Sequence, residues 1–159
     1  MTKISTHFSL EEFSVSGSFP KLVEPVPAHY VPNVEKLVRT VLQPLRDGMG
    51  QPLRITSGYR PEKLNNAVGG SASSQHRYAQ AADCTCAYLN EVFAGIMIGR
   101  ERFRLGQAIL YPDRSFMHLA LPSSSHPVPR FQIHCPKAGL SYVQVYSIVD
   151  LKRQLAKVR

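Results

Sequence analysis

One histidine stands in the middle of a short apolar run, and this position constrains the fold more than any other. His118 lies within residues 116–121, whose alternation is typical of a β-strand with one buried face. Upstream, His76 and Asp83 lie on a loop and in a second apolar run. Two imidazoles and one carboxylate can hold a zinc ion with its fourth position open, which is the ligand set of a hydrolase and not of a zinc finger. His76, Asp83 and His118 are therefore the predicted metal ligands.

The alternation within both runs predicts that Asp83 and His118 lie on the same side of a sheet. The residues on either side of His118 are apolar and point to the opposite face, and Asp83 points away from the core if Cys84 points into it. Taken singly, each predicted ligand has a structural explanation: a core histidine, an exposed loop histidine and a strand-edge carboxylate. Their combination in this order favours metal binding.

Helical and strand-like segments alternate along the chain, without an internal repeat. Six segments have the length and apolar pattern of strands, namely 53–57, 82–86, 107–111, 116–121, 131–135 and 142–146. Helices are predicted over 33–48, 61–68 and 89–100, with a short first helix begun by Ser9 and Glu12 and a last helix capped by Ser147. Pro44 should kink or end the first long helix. This mixture predicts an α+β fold in one domain, residues 1–159, with a mainly antiparallel central sheet flanked by helices.

Length and composition support a single domain with its own core. The chain has 159 residues, of which 43% are hydrophobic, enough for a core without disulfide bonds. Its three cysteines are an odd number without zinc-finger spacing, so Cys84 and Cys86 are predicted to be buried strand residues. There is no N-terminal signal segment and no apolar run of membrane length. We therefore expect synthesis in the cytoplasm and no membrane span.

The formal net charge of +8 predicts attraction to an anionic partner. Nucleic acid, a membrane surface and an acidic cell-envelope polymer all satisfy this requirement. The basic residues near the C-terminus also have a simpler explanation, because cations stabilise the end of a helix. The charge alone does not choose among the three partners, and the absence of a nucleic-acid-binding motif lowers the case for a nucleic-acid partner.

The order and spacing of these residues resemble those of the D-Ala-D-Ala metallopeptidases. The shared features are Ser-x-His-x6-Asp at 74–83, an aromatic-x-His motif at 116–118 within a predicted strand, and the upstream segments 55–61 and 64–71. The likeness extends from about residue 6 to residue 121. It implies a hedgehog-like D-Ala-D-Ala-peptidase fold, one zinc ion and peptidoglycan peptides as substrates. Many small members of this family are phage-encoded, which, without an export signal, implies a phage or prophage product acting on the host cell wall.

The resemblance also implies roles for three further residues. Arg60 corresponds to an arginine that binds a substrate carboxylate or stabilises the transition state, a task suited to a fixed guanidinium group. Ser74, two places before His76, and Gln107, at a polar strand position, are implied to bind substrate. The structural alternative for Arg60 and Ser74 is that they shape their loops.

One departure from the family pattern concerns proton transfer. Relatives place an acidic residue three positions before the last histidine ligand, and this chain has Ser115 there. Serine is not a useful base near neutral pH, so Asp113, the nearest carboxylate, is the predicted acid–base residue, with an ordinary turn aspartate as the alternative. His134 is a candidate for a supporting role if the late strands border the cleft, although such a histidine is more often structural.

Together these features predict zinc-dependent hydrolysis of a peptide bond in bacterial peptidoglycan stem or cross-bridge peptides, as a D-Ala-D-Ala carboxypeptidase or an endopeptidase. One alternative is a catalytically weak or inactive zinc-stabilised protein that binds the wall or belongs to a virion, which Ser115 favours. The least favoured alternative is a basic nucleic-acid-associated protein, which predicts steeply salt-dependent DNA binding.

Overall fold

The computed structural model describes residues 1–136 and 140–158, and the strands within these residues form one six-stranded sheet. Their bounds are β1 Arg54–Ser57, β2 Ala81–Thr85, β3 Gln107–Tyr111, β4 Phe116–Ala120, β5 Arg130–Cys135 and β6 Leu140–Gln144. The order across the sheet is β1-β2-β4-β3-β5-β6, and neighbours are antiparallel except β3 and β5, which run parallel. The predicted strands and the mainly antiparallel α+β fold are confirmed, with strand ends within about two residues of the predicted ones.

Helices and 3-10 turns make up most of the remaining regular structure. The helices are α1 Val31–Leu37, α2 Gln43–Met49, α3 Glu62–Ala67, α4 Leu89–Ile98 and α5 Ile148–Val158. The 3-10 turns cover Leu10–Phe13, Pro20–Leu22, Ala28–Tyr30, Gln75–Tyr78 and Arg100–Arg102. Both predicted helix caps are confirmed: the Ser9 N–H donates to Glu12 Oε1 at 2.8 Å, and the Asp150 N–H donates to Ser147 Oγ at 3.1 Å. Over the described residues, no helix combines the length and apolar character that a bilayer span requires.

The first long helix begins earlier than predicted. Its first residue is Val31, so Asn33 lies inside the helix and does not open it. The side-chain amide of Asn33 instead donates to the carbonyl of Tyr78 at 2.8 Å. The predicted glycine stop is confirmed at Gly50, which has the left-handed φ of 65° that glycine adopts readily. Gly48 lies inside α2.

Pro44 does not end this helix, so that part of the prediction that it kinks or ends the helix is wrong. A π turn, Val38–Leu42, joins α1 to α2, and the chain stays helical through Pro44 to Met49. Proline has no N–H to donate to the carbonyl of Thr40. The backbone N–H of Arg104 donates to that carbonyl at 3.2 Å, so the acceptor freed by proline is satisfied by a distant segment.

The sheet buries one face against helices. Met117 and Leu119 are fully buried, whereas His118 between them points to the other face, as the alternation predicts. On the buried face, the ring of Phe93 in α4 meets that of Phe131 edge-on at 6.1 Å. The opposite face is therefore free to carry polar side chains.

The cysteines in the structure are free thiols. Cys84 is buried in β2, as predicted. Cys86 lies beyond the end of β2 and is only half-buried, so its predicted place as a buried strand residue is wrong.

Candidate metal centre

Two neighbouring strands place a carboxylate beside an imidazole. Asp83 in β2 and His118 in β4 lie directly opposite each other in the antiparallel register. Both line an open cleft on the side of the sheet away from the helix-covered core. Alternation along each strand and register between the strands are sufficient to bring these two side chains together.

His76 reaches the same point from the 3-10 turn Gln75–Tyr78. Its Nε2 lies 3.1 Å from Asp83 Oδ1 and 3.1 Å from His118 Nδ1. His118 Nδ1 lies 2.9 Å from the same oxygen of Asp83. The structure thus brings together the three residues that the sequence predicts as metal ligands, with one candidate ligand atom each, all within 4.8 Å of one another.

A tight turn orients the ring of His76. The Nδ1 atom lies 2.7 Å from the carbonyl oxygen of Gly58, so Nδ1–H donates to that oxygen and Nε2 is left for the site. Gly58 has no room for a side chain, because a Cβ atom there would overlap the backbone of Phe13. The N–H of Tyr59 also donates to the carbonyl of Phe13, at 2.7 Å. The N-terminal 3-10 turn Leu10–Phe13 therefore supports the turn that holds His76.

The protonation states of the site favour a cation. Burial lowers the pKa of His76, and attraction to Asp83 only partly offsets this effect. Burial alone would raise the pKa of Asp83, but its hydrogen bond from His118 helps to hold it below its usual range. A neutral His76 that donates through Nδ1 has a lone pair on Nε2, and this lone pair faces a carboxylate oxygen 3.1 Å away. Two acceptors at this distance repel each other unless a cation lies between them.

The spacing of the three atoms fits zinc. Zn²⁺ binds histidine nitrogen and carboxylate oxygen at about 2.0–2.1 Å in a tetrahedral arrangement, which separates ligand atoms by roughly 3.3 Å. The observed separations of 2.9 to 3.1 Å are close to this value. Calcium and magnesium prefer oxygen ligands, so a set with two imidazoles favours zinc over either.

Arg60 contacts the carboxylate at the centre of this cluster. Its Nη2 donates to Asp83 Oδ2 at 2.8 Å, and its Nε donates to Ser57 Oγ at 3.1 Å. The backbone N–H of Arg60 donates to the carbonyl of His76 at 3.0 Å. The side chains of Arg60 and Asp83 are only 15% and 9% exposed, so this ion pair is largely buried. The guanidinium group holds Oδ2 and leaves Oδ1 to the two imidazoles.

Ser74 and Gln107, the other residues predicted to bind substrate, line the same cleft. Ser74 precedes the turn that carries His76, and its carbonyl accepts the N–H of Arg77 at 3.1 Å. Gln107 donates from Nε2 to Gln132 Oε1 at 2.6 Å. Both side chains are half-buried in the cleft wall.

Asp113 lies beside another histidine. Its Oδ1 is 3.5 Å from Nδ1 of His134, and among the described residues it is not part of the cleft lining, whereas His134 is. Ser115 is exposed, has a left-handed φ of 56°, and accepts the hydroxyl of Thr85 at its carbonyl at 2.7 Å. The acid–base role of Asp113 stays a prediction.

The cleft extends beyond the predicted site residues. It has a volume of about 1060 Å³ and continues from His118 across β3, β5 and β6 to Tyr111, His134 and Tyr142. Tyr111 could have been found from the sequence, because it shares the alternation of Gln107 in β3. Tyr142 had no such signal, since its place depends on strand pairing between distant segments.

A scan against protein-family models matches residues 7–120 to the family described as Peptidase M15. The matched segment covers more than two-thirds of the chain and includes the whole His76–Asp83–His118 cluster. A comparison with curated proteins found no match. The family match confirms the predicted resemblance, and the chain belongs to the peptidase M15 family of D-Ala-D-Ala carboxypeptidase-like peptidases.

Proposed function

We propose that this M15 peptidase uses one zinc ion to hydrolyse a peptide bond in the stem or cross-bridge peptides of bacterial peptidoglycan. The observation that carries the proposal is the convergence of His76 Nε2, His118 Nδ1 and Asp83 Oδ1 on the floor of an open cleft. Zinc held by these ligands supplies a Lewis acid that polarises a peptide carbonyl and activates water near neutral pH.

The surrounding residues hold this site in a state ready for metal. The carbonyl of Gly58 keeps His76 in the tautomer that exposes Nε2, and Arg60 holds the carboxylate of Asp83 in place through Oδ2. One carboxylate is the only negative charge in the ligand set, and it is shared with a guanidinium group. The loaded site is therefore net positive, which favours an electron-rich carbonyl group in the substrate.

Arg60 is proposed to contact the substrate as well as Asp83. A guanidinium group has five N–H donors, and the side-chain bonds of Arg60 to described residues use only Nε and Nη2. Because Arg60 lines the cleft, Nη1 is available to a substrate carboxylate or to the oxygen that becomes negative in the transition state.

Ser74 and Gln107 are proposed to bind the peptide backbone of the substrate. Both present polar groups at the cleft wall, and serine-rich loops at 71–74 and 123–125 also line the cleft. Small hydroxyl side chains leave space for an extended peptide and can hydrogen-bond its amides. This lining suits a polar peptide better than an apolar small molecule.

Asp113 is proposed to transfer the proton between water and the leaving amine. It is the nearest carboxylate to Ser115, which occupies the family's acidic position. Asp113 Oδ1 lies 3.5 Å from His134 Nδ1. The proton-transfer role therefore requires the carboxylate to turn away from His134 and towards the substrate. General acid–base groups contribute about 10²–10⁴-fold to rate, so Asp113→Asn should lower kcat by that order.

The contact between Asp113 and His134 also supports a second candidate function. With serine at the family's acidic position and Asp113 beside His134, outside the cleft lining that the described residues form, the chain can keep its metal and lose turnover. It is then a zinc-stabilised protein that binds the cell wall or forms part of a virion. In either case we propose that a phage or prophage product acts at the host cell wall, where positive charge assists adsorption to an acidic envelope.

Metal analysis combined with peptide cleavage tests the proposal. Wild-type protein should contain one zinc per chain and release fragments from purified muropeptides, detected by mass spectrometry. His118→Ala should lose both zinc and cleavage, whereas His29→Ala, which changes an exposed histidine outside the cleft, should keep both. Zinc without cleavage of any muropeptide supports the binding protein, and a chain that takes up no zinc contradicts both functions.

A further inference from the structure

The part of the chain that follows the family match builds a second region of the cleft. β5 and β6 lie after residue 120, where the match to Peptidase M15 ends. β5 pairs in parallel with β3, and β6 pairs with β5 at the edge of the sheet. Through these pairings His134 and Tyr142 reach the cleft that contains His118. This region of the cleft therefore depends on residues outside the matched segment.

Aromatic rings form a continuous floor at this end of the cleft. Tyr111 stacks on Phe116 with ring centroids 4.3 Å apart and planes 17° apart. It also lies 4.9 Å from the ring of His134 and 6.1 Å from that of Tyr142, which it meets edge-on. We call Tyr111, Arg114, Phe116, His134 and Tyr142 the distal patch.

The two phenols of the distal patch retain a free hydrogen-bond donor. The hydroxyl oxygens of Tyr111 and Tyr142 lie 3.1 Å apart and share one hydrogen bond. Two phenols carry two protons, so one O–H remains unused by this pair whichever tyrosine donates. Burial raises the pKa of Tyr111, and its hydrogen bond to Tyr142 adds to this effect, so Tyr111 stays protonated at neutral pH.

Arg114 adds a positive charge to the patch. Its guanidinium group lies 6.0 Å from the centroid of the Tyr111 ring and forms no ion pair with any residue that the structure describes. Arg60, which also lines the cleft, is already paired with Asp83. Asp113 is adjacent to Arg114 in the chain but contacts His134. The charge of Arg114 is thus available to an anionic group of a ligand.

The register of the sheet sets the distance from the distal patch to the metal site. His118 lies opposite Ile109, and Tyr111 and His134 follow two residues further along β3 and β5, which are the next two strands. With strands about 4.8 Å apart and residues about 3.3 Å apart, the patch lies roughly 8 to 12 Å from His118. This distance equals about two to four residues of extended peptide.

We propose that the distal patch is a substrate subsite that binds the carboxylate of a residue about two to four positions from the cleaved bond. This proposal rests on the proposed function, because the peptide is taken to run from the metal site across β3 and β5. Arg114 and the free phenolic O–H bind the carboxylate, and the rings of Tyr111 and Phe116 support the adjoining chain. The favoured substrates are therefore acidic peptides with a free internal carboxylate, in preference to their amidated forms.

The test compares two synthetic stem peptides that differ only at the free carboxylate of their glutamyl residue, which is amidated in one of them. The ratio of kcat/KM values measures the preference if the peptides are cleaved, and the ratio of Kd values measures it if they are not. Zinc-loaded wild type should prefer the acid by roughly tenfold, as expected for one charge-assisted contact. Arg114→Gln and the double variant Tyr111→Phe/Tyr142→Phe should each reduce this preference to less than about threefold, because either phenylalanine alone would still leave one phenolic O–H free.

Arg39→Gln is the matched control, because it makes the same charge change at an exposed residue outside the cleft lining. It should keep the preference for the acid. Equal kcat/KM values, or equal Kd values, of wild type for the two peptides would overturn the proposal. An equal loss of preference in Arg39→Gln and Arg114→Gln would also overturn it. Preferential binding of the acid without cleavage would support the subsite and disprove turnover, so the two proposals fail in different ways.

Discussion

Replacing Arg60 by methionine should destabilise the zinc-free protein by about 2–3 kcal/mol through loss of a buried ion pair. The contact joins Arg60 Nη2 to Asp83 Oδ2 at 2.8 Å, between side chains that are 15% and 9% exposed. Removing one partner of such a pair costs about 3–5 kcal/mol, because the other charge stays buried. Asp83 keeps its hydrogen bond from His118 to Oδ1, which reduces the expected loss. Methionine retains most of the apolar stem of arginine, so the change in packing is small.

Urea unfolding in the presence of a chelator measures this effect. The wild type, Arg60→Met, Asp83→Asn and the double variant form a double-mutant cycle, whose coupling energy should be about 2 kcal/mol. Arg77→Met is the matched control, because the guanidinium of Arg77 donates to the backbone carbonyl of Ala72 at 2.6 Å. Its loss should cost less than about 1 kcal/mol.

Zinc and pH change the coupling in predictable directions. Zinc should reduce it, because the cation then compensates the charge of Asp83. The pKa of Asp83 in the folded protein lies below its ordinary value of 3.8, so the stabilisation is complete above that pH and is lost as pH falls towards the lower folded value. The coupling should therefore stay constant from about pH 5 to pH 8. A coupling below about 0.5 kcal/mol at neutral pH, or an Arg77→Met effect equal to that of Arg60→Met, would refute the reasoning.

Two other predictions concern the ring of His76 and the turn that orients it. Burial lowers the pKa of His76 in the folded protein below 6.5. As pH falls, His76 therefore gains a proton in the unfolded chain before it does so in the folded one. The free energy of unfolding of the zinc-free protein should decrease between about pH 7 and pH 5. The slope due to this residue is at most about 1.4 kcal/mol per pH unit, and urea unfolding of His76→Gln should show a shallower dependence than wild type. Gly58→Ala should cost about 1–3 kcal/mol, because its Cβ overlaps the backbone of Phe13. Gly17→Ala, where the added Cβ meets open space, should cost less than about 1 kcal/mol in the same assay, and equal losses would contradict the steric argument.

The His76–Asp83–His118 cluster could be predicted because its geometry follows from local rules. Alternation in β4 directs His118 away from the buried face that carries Met117 and Leu119. A one-residue slip of register would expose those two side chains, so the pairing that puts Asp83 opposite His118 is strongly specified. The short segment from His76 to Asp83 then limits how far the loop histidine can lie from the strand.

Contacts between distant segments could not be predicted in this way. Pro44 has a strong local signal for the end of a helix, yet the helix continues, and Arg104 supplies the hydrogen bond that the carbonyl of Thr40 would otherwise lack. Nothing near Pro44 in the sequence indicates Arg104. The parallel pairing of β3 with β5 is another such case, because alternation identifies both strands without stating which strands become neighbours.

The position of Asp113 shows how this limit bears on function. In the sequence, Asp113 is the carboxylate nearest to Ser115, which predicts proton transfer; in the fold, β5 brings His134 to within 3.5 Å of it. The two arrangements predict different kinetics for Asp113→Asn. A fall in kcat of about 10²–10⁴-fold on both the acidic and the amidated stem peptide indicates proton transfer. An unchanged kcat with a higher KM for the acidic peptide alone indicates that Asp113 holds His134 in the distal patch, because only substrate binding is then lost.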